Sequence, residues 1–289
     1  MPFSPCIILI VDISVMSISH KFYRSLLKSS LSLGERAKVA ESLLDVVRDA
    51  NSEKWKSIKS NYHNHNNILL QLKQSGFIQL SLPNSADIVS SIINLSSDQM
   101  VNSSLDCSSN NMFYLSGVDR LDPVKQLVED QTLHDFVSLY LGAPASIYKI
   151  LAWWQFPSHD GSPPSNAQLW HRDRDDFSFL KFFMYCTDVD LKSGPHAFLP
   201  QTHLPSALAK LFSCNDLNRS LVDGSSHQFL SDTELKQLGY TGTSKIWIGP
   251  AGTCFLEDTR GFHRAFVPTK KPRLIFSIVW TIGPGYDSL

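Results

Sequence analysis

Three side chains of this chain have the types and spacing of metal ligands. His171 and Asp173 stand two residues apart in the run Trp170–Asp173, and His263 follows far downstream. Two histidines and one carboxylate are the donors of mononuclear non-haem Fe(II) sites, which leave further coordination positions open. Because side chains alternate along an extended strand, His171 and Asp173 project from the same face and can reach one ion. The sequence therefore predicts a metal site formed by His171, Asp173 and His263.

An arginine stands ten residues after His263. Two apolar-rich runs, 261–267 and 273–282, flank the turn-like run 268–272 (Pro-Thr-Lys-Lys-Pro), and this pattern predicts a β-hairpin. In the register that we expect for this hairpin, Arg273 faces the same side as His263. A guanidinium group in that place could bind a carboxylate whose other end ligates the metal.

These residues resemble the pattern of the Fe(II)- and 2-oxoglutarate-dependent dioxygenases, and within them the phytanoyl-CoA dioxygenase-like group. That pattern joins a W-H-x-D strand, a G-x-x-x-x-x-P-G-T/S-H segment, and a distal His followed about ten residues on by Arg. The chain departs from it at Gln201, where the family usually has Gly. The resemblance covers roughly residues 66 to 283, and the matching elements are Trp170–Asp173, the run 194–203, and the pair His263 and Arg273.

The resemblance implies a double-stranded β-helix, also called a jelly-roll or cupin-like fold. It also implies Fe(II), 2-oxoglutarate as cosubstrate, O2, and ascorbate as an activator. Arg273 and Gln168 occupy positions at which related sequences contact 2-oxoglutarate. Alternation along the predicted strands 146–156 and 179–187 adds further candidate donors to the cosubstrate, namely Gln155, Lys181 and Tyr185.

The predicted function is hydroxylation of an unactivated C–H bond in a small organic substrate. One alternative is a metal-binding cupin-type β-barrel with a binding or isomerase role, although cupins usually show H-x-H with a Glu a few residues on. A second alternative is a pseudo-enzyme in which the ligands have a structural role. Release of succinate from 2-oxoglutarate separates these hypotheses.

The elements that must position these residues change in character along the chain. Apolar residues at helical spacing predict helices over 20–60 and over 123–141, the latter ended by Gly142. Short apolar strands dominate from residue 146 onward, so we predict a mainly β fold with flanking helices. The polar run 96–118 is expected to be a loop.

Length and composition suit one large domain with an appended segment. The chain has 289 residues, of which 43% are apolar and 18% are charged. A chain of this length and apolar content can bury a substantial core. We expect residues 1–65 to form an N-terminal helical extension and linker, and residues 66–289 to form the dioxygenase domain.

Charge and cysteine content restrict the partners and the compartment. A net charge of −1 without basic runs disfavours a nucleic-acid substrate. Five scattered cysteines without C-x-x-C spacing indicate a reducing compartment, and the N-terminal apolar run is too short to span a membrane. We therefore expect a cytoplasmic enzyme of a small, partly apolar substrate, with no nucleic-acid or membrane partner; the sequence indicates no oligomeric state.

Overall fold

The computed structural model describes residues 20–29, 31–61, 66–102, 111–157, 164–211 and 229–283. These residues form two antiparallel sheets with helices packed around them, so the prediction of a mainly β jelly-roll fold with flanking helices is confirmed. In the part of the chain that the structure describes, no helix has the length and apolar character needed to cross a membrane.

Capping residues fix the ends of several helices. In α2, the Ser32 side chain accepts a hydrogen bond from the backbone N–H of Glu35, whose carboxylate accepts one in return from the Ser32 N–H. At the end of α7, Gly142 adopts a left-handed conformation with φ of 88°. The helices are α1 His20–Lys28, α2 Leu33–Ala50, α3 Ser52–Asn61, α4 Asn66–Ser75, α5 Ser85–Asn102, α6 Asp122–Val128, α7 Gln131–Leu141, α8 Pro205–Leu211 and α9 Asp232–Gln237.

The strands are divided between a large and a small sheet. The strands are β1 Phe77–Leu80, β2 Met112–Tyr114, β3 Ser146–Gln155, β4 Phe179–Tyr185, β5 His196–Phe198, β6 Lys245–Trp247, β7 Cys254–Glu257, β8 His263–Ala265 and β9 Arg273–Thr281. The large sheet has the order β1-β7-β4-β9-β3-β2, and the small sheet has the order β6-β5-β8.

Both faces of the large sheet are buried. Successive side chains of a strand point to opposite faces, so each strand contributes to two different apolar clusters. Along β4, Phe182 packs in the apolar cluster shared with the helices, whereas Phe183 packs toward the small sheet beside Trp247 of β6. Along β9, Phe276 lies on the helix side and Ile275 on the inner side. The inner face of the large sheet therefore faces the small sheet, and the space between them contains the candidate site.

The N-terminal helices pack against this same core. Tyr23 of α1 and Leu43 of α2 belong to the apolar cluster that includes Phe276 of β9. The Arg48 side chain of α2 also donates a hydrogen bond of 2.6 Å to the carbonyl oxygen of Gly142. The division of the chain into an extension of 1–65 and a domain of 66–289 stays a prediction.

Two predicted local structures differ from those observed. The expected loop 96–118 is α5 as far as Asn102 and strand β2 at Met112–Tyr114, while residues 103–110 lie outside the described residues. The polar side chains of this run make specific contacts: for example, Ser96 accepts a 2.6 Å hydrogen bond from the Trp154 indole. The expected single helix over 123–141 is divided into α6 and α7 because the Asp130 side chain caps the start of α7.

The predicted hairpin of 261–267 with 273–282 was wrong. Strand β8 pairs with β5 in the small sheet, with His263 opposite Phe198. Strand β9 lies between β3 and β4 in the large sheet, with Arg273 opposite Gln155. The run 268–272 therefore connects two sheets, because each strand finds its partner far away in the sequence rather than across the turn.

A tight turn near the start of the large sheet fixes the chain beside the site. Gly76, between α4 and β1, has a φ of 87°, and a Cβ atom there would lie 2.6 Å from Nδ1 of His203 and 2.8 Å from the Phe198 ring. The backbone N–H of Gln201 donates to the Ser75 carbonyl, and Gln201 itself has a φ of 69° where the resembled family has Gly. Gln201 thus adopts a left-handed conformation that usually favours glycine.

Substitution of Gly76 tests this close packing. Gly76→Ala should lower the free energy of unfolding by about 2 to 3 kcal/mol, since it adds a methyl group to a filled space at a positive φ. Gly34→Ala, in α2 with no atom within 4 Å of the new Cβ, should leave stability unchanged or raise it by up to about 1 kcal/mol. Urea unfolding of both variants measures the difference, and equal stability of the two would contradict the packing described.

Candidate metal centre

A short stretch of backbone pairing brings two of the predicted ligands together. His171 and His263 form an isolated antiparallel bridge in which each backbone N–H donates to the carbonyl oxygen of the other residue, at 3.0 and 2.9 Å. The backbone N–H of Asp173 donates to the carbonyl oxygen of Thr259 at 2.8 Å. The run 170–173 is thus extended as predicted, but it is held by isolated bridges rather than by a full strand.

The three candidate ligands converge on one point. Nε2 of His263 lies 3.2 Å from Oδ2 of Asp173, and Nε2 of His171 lies 3.6 Å from Oδ1. One donor atom from each of the three side chains lies within 4.8 Å of the other two, and among the described residues this is the cluster that could hold a metal ion. Both imidazoles are buried, and the carboxylate is half-buried.

The hydrogen bonds of the two imidazoles orient their lone pairs. Nδ1 of His171 lies 2.9 Å from the carbonyl oxygen of Leu169, and Nδ1 of His263 lies 3.0 Å from that of Gly261. Because a carbonyl oxygen only accepts, both Nδ1 atoms carry a proton, and in a neutral imidazole this arrangement leaves the Nε2 lone pair free for a metal. Burial lowers the pKa of His263 and favours its neutral form. Two neutral Nε2 donors and one carboxylate fit a divalent transition metal.

A lysine lies directly against the carboxylate ligand. Nζ of Lys181, on β4, is 2.6 Å from Oδ2 of Asp173 and 2.6 Å from Oδ2 of Asp175. Although burial alone would raise it, the pKa of Asp173 is held well below its usual range, chiefly by the charge of Lys181. Asp173 is therefore ionised, and Oδ1 is the oxygen that the ammonium group leaves free.

Arg273 reaches the same cavity by a route that the sequence did not predict. It extends from the first residue of β9, on the inner face of the large sheet, and its side chain is almost completely buried. Nη1 donates a short hydrogen bond to the Gly194 carbonyl oxygen, and Nε is buried without a hydrogen-bond partner among the described residues. Burial lowers the pKa of this guanidinium. A buried cation with unused donor capacity suits an anionic ligand.

Of the other four residues predicted to contact the cosubstrate, three are among the described lining residues of the cavity and one is not. Gln155, Gln168 and Lys181 line it together with the candidate ligands and Arg273. The Gln168 side-chain oxygen accepts a 3.0 Å hydrogen bond from the Ser165 backbone, which orients its amide group. Tyr185 is fully buried and is not among the described lining residues.

The Tyr185 hydroxyl is engaged by backbone on both sides. It donates to the Trp247 carbonyl oxygen at 2.9 Å and accepts from the His196 backbone N–H at 3.0 Å. Burial raises the pKa of Tyr185 to about 12. The residue therefore ties the large sheet to β5 and β6 of the small sheet.

A buried polar pair next to the site was not recognised in the sequence. Nε2 of His196, which lines the cavity, lies 2.6 Å from Oε1 of Glu257, and the Trp247 indole donates to Oε2 at 3.1 Å. Burial raises the pKa of Glu257 to about 8. Burial and the charge of Arg273 hold the pKa of His196 well below its usual range. The pair is thus a neutral hydrogen bond at neutral pH, with the Glu257 carboxyl group donating to His196.

The sequence did contain signals for these missed residues. Glu257 directly follows the apolar run 254–256, and alternation from Phe255 places it on the inner face. Asp175 is two residues after Asp173, as Asp173 is two after His171. A buried polar side chain requires a hydrogen-bond partner. A polar residue on the inner face of a buried strand therefore predicts a second polar residue in contact with it.

The cavity between the two sheets has a volume of about 210 Å³. Its inner end is formed by the candidate ligands, Lys181, His196 and Arg273, and the rest of its described lining comes from β2, β3, β4, β8, β9 and the 3-10 helix Asn166–Gln168. One compact space thus holds a metal-binding triad, a buried guanidinium, and room for a small molecule.

Searches against known proteins give matches at the level of structure. No protein-family model and no curated protein sequence matches the chain. EctD from S. alaskensis, solved with bound Fe, is 17% identical with a TM-score of 0.51; the match covers 75% of this chain and 76% of EctD. The epimerase SnoN, solved with Fe3+, alpha ketoglutarate and nogalamycin RO, is 17% identical with a TM-score of 0.50; the match covers 74% of this chain and 81% of SnoN. The chain shares their fold.

The neutral pair beside the site predicts a pH dependence of stability. Because the pKa of Glu257 is raised in the folded state, folding favours the protonated carboxyl group, and this contribution is lost as the pH rises through about 8. Wild type should lose about 1 to 2 kcal/mol of unfolding free energy between about pH 7 and about pH 9 from this group. Glu257→Gln should lack that loss, as measured by urea unfolding across the pH range.

The control for this experiment is Glu41→Gln, at an exposed position of α2. This variant should retain the pH dependence of wild type. A Glu257→Gln variant with the wild-type slope would show that Glu257 is ionised in the folded protein at neutral pH.

Proposed function

We propose that this chain is an Fe(II)- and 2-oxoglutarate-dependent oxygenase that hydroxylates a small organic substrate, similar to the phytanoyl-CoA dioxygenase-like group. The observation that carries the proposal is the convergence of His171, Asp173 and His263 in one cavity with the buried Arg273. The fold supports it, because EctD and SnoN have been solved with Fe and with 2-oxoglutarate, also called alpha ketoglutarate.

The three ligands would hold the metal through Nε2 of each histidine and one oxygen of Asp173. Three protein ligands leave coordination positions for the cosubstrate and for O2. Bound together, the metal and 2-oxoglutarate supply the oxidising chemistry, in which O2 is consumed and 2-oxoglutarate is converted to succinate and CO2. Ascorbate would serve as an activator that keeps the iron reduced.

Arg273 would bind the carboxylate of 2-oxoglutarate that is distant from the metal. Its guanidinium is buried, keeps donor capacity beyond its bond to Gly194, and lines the same cavity as the triad. Gln155, opposite Arg273 in the sheet register, and Gln168 are placed to add neutral hydrogen bonds. Lys181 would bind Oδ2 of Asp173, so that this carboxylate ligates the metal through Oδ1 alone.

We assign Tyr185 a supporting role instead of direct contact with the cosubstrate. Its hydroxyl is bonded to the backbone of Trp247 and of His196, and it lies outside the described cavity lining. The aromatic side chains Phe183 and Trp153, which do line the cavity, would exclude water from the inner end.

Loss of a ligand tests the proposed function. Wild type supplied with Fe(II), ascorbate, O2 and a substrate panel should release succinate from 2-oxoglutarate and add one oxygen atom to one panel member. His171→Ala and His263→Ala should each abolish this turnover and weaken Mn(II) binding, measured by calorimetry, by about a hundredfold or more, because a two-ligand site remains.

The matched control is His134→Ala, whose half-buried ring packs edge-on against Trp280 away from the site. It should keep the Mn(II) affinity of wild type. Unchanged Mn(II) affinity in both ligand variants would refute the metal site. Tight metal binding by wild type without succinate release across the panel would favour a binding protein or a pseudo-enzyme.

Substitution of Arg273 tests the cosubstrate site. In the Mn(II)-loaded protein, Arg273→Ala should weaken 2-oxoglutarate binding by roughly ten- to a hundredfold, the worth of a charge-assisted hydrogen bond. Arg273→Lys should restore only part of this affinity, since an ammonium group cannot form the planar fork. Calorimetric titration with 2-oxoglutarate measures both, and the affinity for Mn(II) itself should change little.

Arg264→Ala is the control for that titration. Arg264 is also a buried arginine, but it pairs with Asp232 and stacks on Trp170 instead of lining the cavity. It should bind 2-oxoglutarate as wild type does. Wild-type affinity in Arg273→Ala would show that another cation binds the cosubstrate.

A further inference from the structure

His196 lies beside both ends of the proposed cosubstrate site. Its ring lines the cavity and stacks on the ring of His263, with the centroids 5.5 Å apart and a tilt of 23°. Two residues earlier in the chain, the carbonyl oxygen of Gly194 accepts the hydrogen bond from Nη1 of Arg273. After burial, the charge of Arg273 is the largest influence that lowers the pKa of His196. A molecule that extends from the candidate ligands to Arg273 therefore passes close to this imidazole.

One nitrogen of His196 faces away from the cavity, and the other is accessible from it. Nε2 lies 2.6 Å from Oε1 of Glu257, a side chain with no exposed surface. Nδ1 forms no hydrogen bond within the described part of the chain, and it is not sealed inside the protein as Nε of Arg273 is. Because the ring lines the cavity, Nδ1 is the nitrogen that a bound molecule can reach.

Glu257 determines which nitrogen of His196 carries the proton. Its two oxygens have different partners, since Oε2 accepts from the Trp247 indole and Oε1 lies against Nε2 of His196. In the neutral pair, the carboxyl group donates its proton to Nε2. A neutral imidazole that accepts at Nε2 carries its own proton on Nδ1. His196 therefore presents an N–H donor to the cavity.

The two ligand histidines turn a different atom toward the cavity. The Nδ1 protons of His171 and His263 are bound by backbone carbonyl oxygens, so their Nε2 lone pairs face the position of the metal. In His196 the Nε2 lone pair is occupied by Glu257, and the Nδ1–H group is left for a ligand. His196 is thus suited to bind an oxygen atom and not a metal ion. 2-Oxoglutarate offers such oxygen atoms, with a carboxylate at each end.

We propose that His196 is a further binding residue for 2-oxoglutarate, to which its Nδ1–H group donates a hydrogen bond, and that Glu257 is the positioning residue that keeps the proton on Nδ1. This inference rests on the proposed function and adds a donor to its cosubstrate site. A neutral donor between the metal and Arg273 orients the anion without adding a charge that would repel the metal.

The tautomer is tested first in the metal-free full chain. Nitrogen NMR of protein with isotope-labelled histidine, at neutral pH, should show His196 with a protonated Nδ1 and an unprotonated Nε2; loss of the signal in His196→Asn assigns it. Glu257→Gln should keep this tautomer, because the amide group can accept from Trp247 and donate to Nε2. Glu257→Leu should lose the preference for it. A proton on Nε2 in the wild type would overturn the inference.

Contact with the cosubstrate is tested by NMR of the same wild-type protein loaded with Zn(II), a diamagnetic ion. Addition of 2-oxoglutarate should shift the Nδ1–H signal of His196 and slow its exchange with water. An unchanged signal at saturating 2-oxoglutarate would overturn the proposed contact. This measurement uses no variant, so its result does not depend on whether a substituted chain folds.

Binding affinities separate a hydrogen bond from a general effect on packing. In the Mn(II)-loaded chain, His196→Leu should weaken 2-oxoglutarate binding by about tenfold, the loss of one hydrogen bond to a charged acceptor, and leave the Mn(II) affinity near that of wild type. His196→Asn, whose amide nitrogen takes the place of Nδ1, should keep most of the affinity. Glu257→Leu should also weaken binding although Glu257 is not among the described lining residues, whereas Glu257→Gln should not. Calorimetric titration measures each affinity.

His134→Leu is the control for these titrations, because its ring packs against Trp280 away from the site. It should bind 2-oxoglutarate as wild type does. Wild-type affinity in His196→Leu, or an equal loss in His196→Leu and His196→Asn, would overturn the donor role and leave the metal site and Arg273 unaffected. Failure of the wild type itself to bind 2-oxoglutarate would instead overturn the proposed function, and with it the ligand named for His196.

Discussion

The backbone bridge between His171 and His263 is the interaction on which the site depends. It joins two segments from distant parts of the chain through a pair of reciprocal hydrogen bonds. The same extended geometry that makes the bridge also projects Asp173 to the same side as His171. The three donor atoms converge because of backbone pairing, and the Nδ1 hydrogen bonds to local carbonyl oxygens then fix the direction of each imidazole.

The two sheets supply what the bridge alone lacks. The large sheet buries its outer face against the helices and its inner face against the small sheet, so Arg273 and Lys181 lie inside the molecule. Burial of these cations has a cost that only anionic partners offset. Lys181 has its carboxylates in Asp173 and Asp175, whereas Arg273 has a carbonyl oxygen and, within the described part of the chain, no partner for Nε. This difference is why the cosubstrate is proposed to bind at Arg273.

Neutral groups maintain the frame around these charges. Glu257 and His196 form a hydrogen bond without net charge, and the Tyr185 hydroxyl links the two sheets through backbone atoms. Such satisfied polar contacts hold the walls rigid without adding a field that competes with the metal or with Arg273.

The sequence alone was sufficient for features that depend on neighbouring residues. The two-residue spacing of His171 and Asp173 and the end of α7 at Gly142 both follow from local geometry, and the structure has them as predicted. A mainly β fold with flanking helices also followed, because helical spacing gives way to short apolar strands from residue 146 onward.

Only the tertiary structure decided which strands pair. The hairpin that was expected to direct Arg273 toward His263 does not form, since β8 pairs with β5 and β9 lies between β3 and β4. Arg273 nevertheless reaches the cavity, because its strand presents it on the inner face of a different sheet. The partner of Glu257 and the strand at Met112–Tyr114 were hidden for the same reason. Strand pairing is a contact between residues distant in sequence, and its energy depends on side chains that a local pattern does not contain.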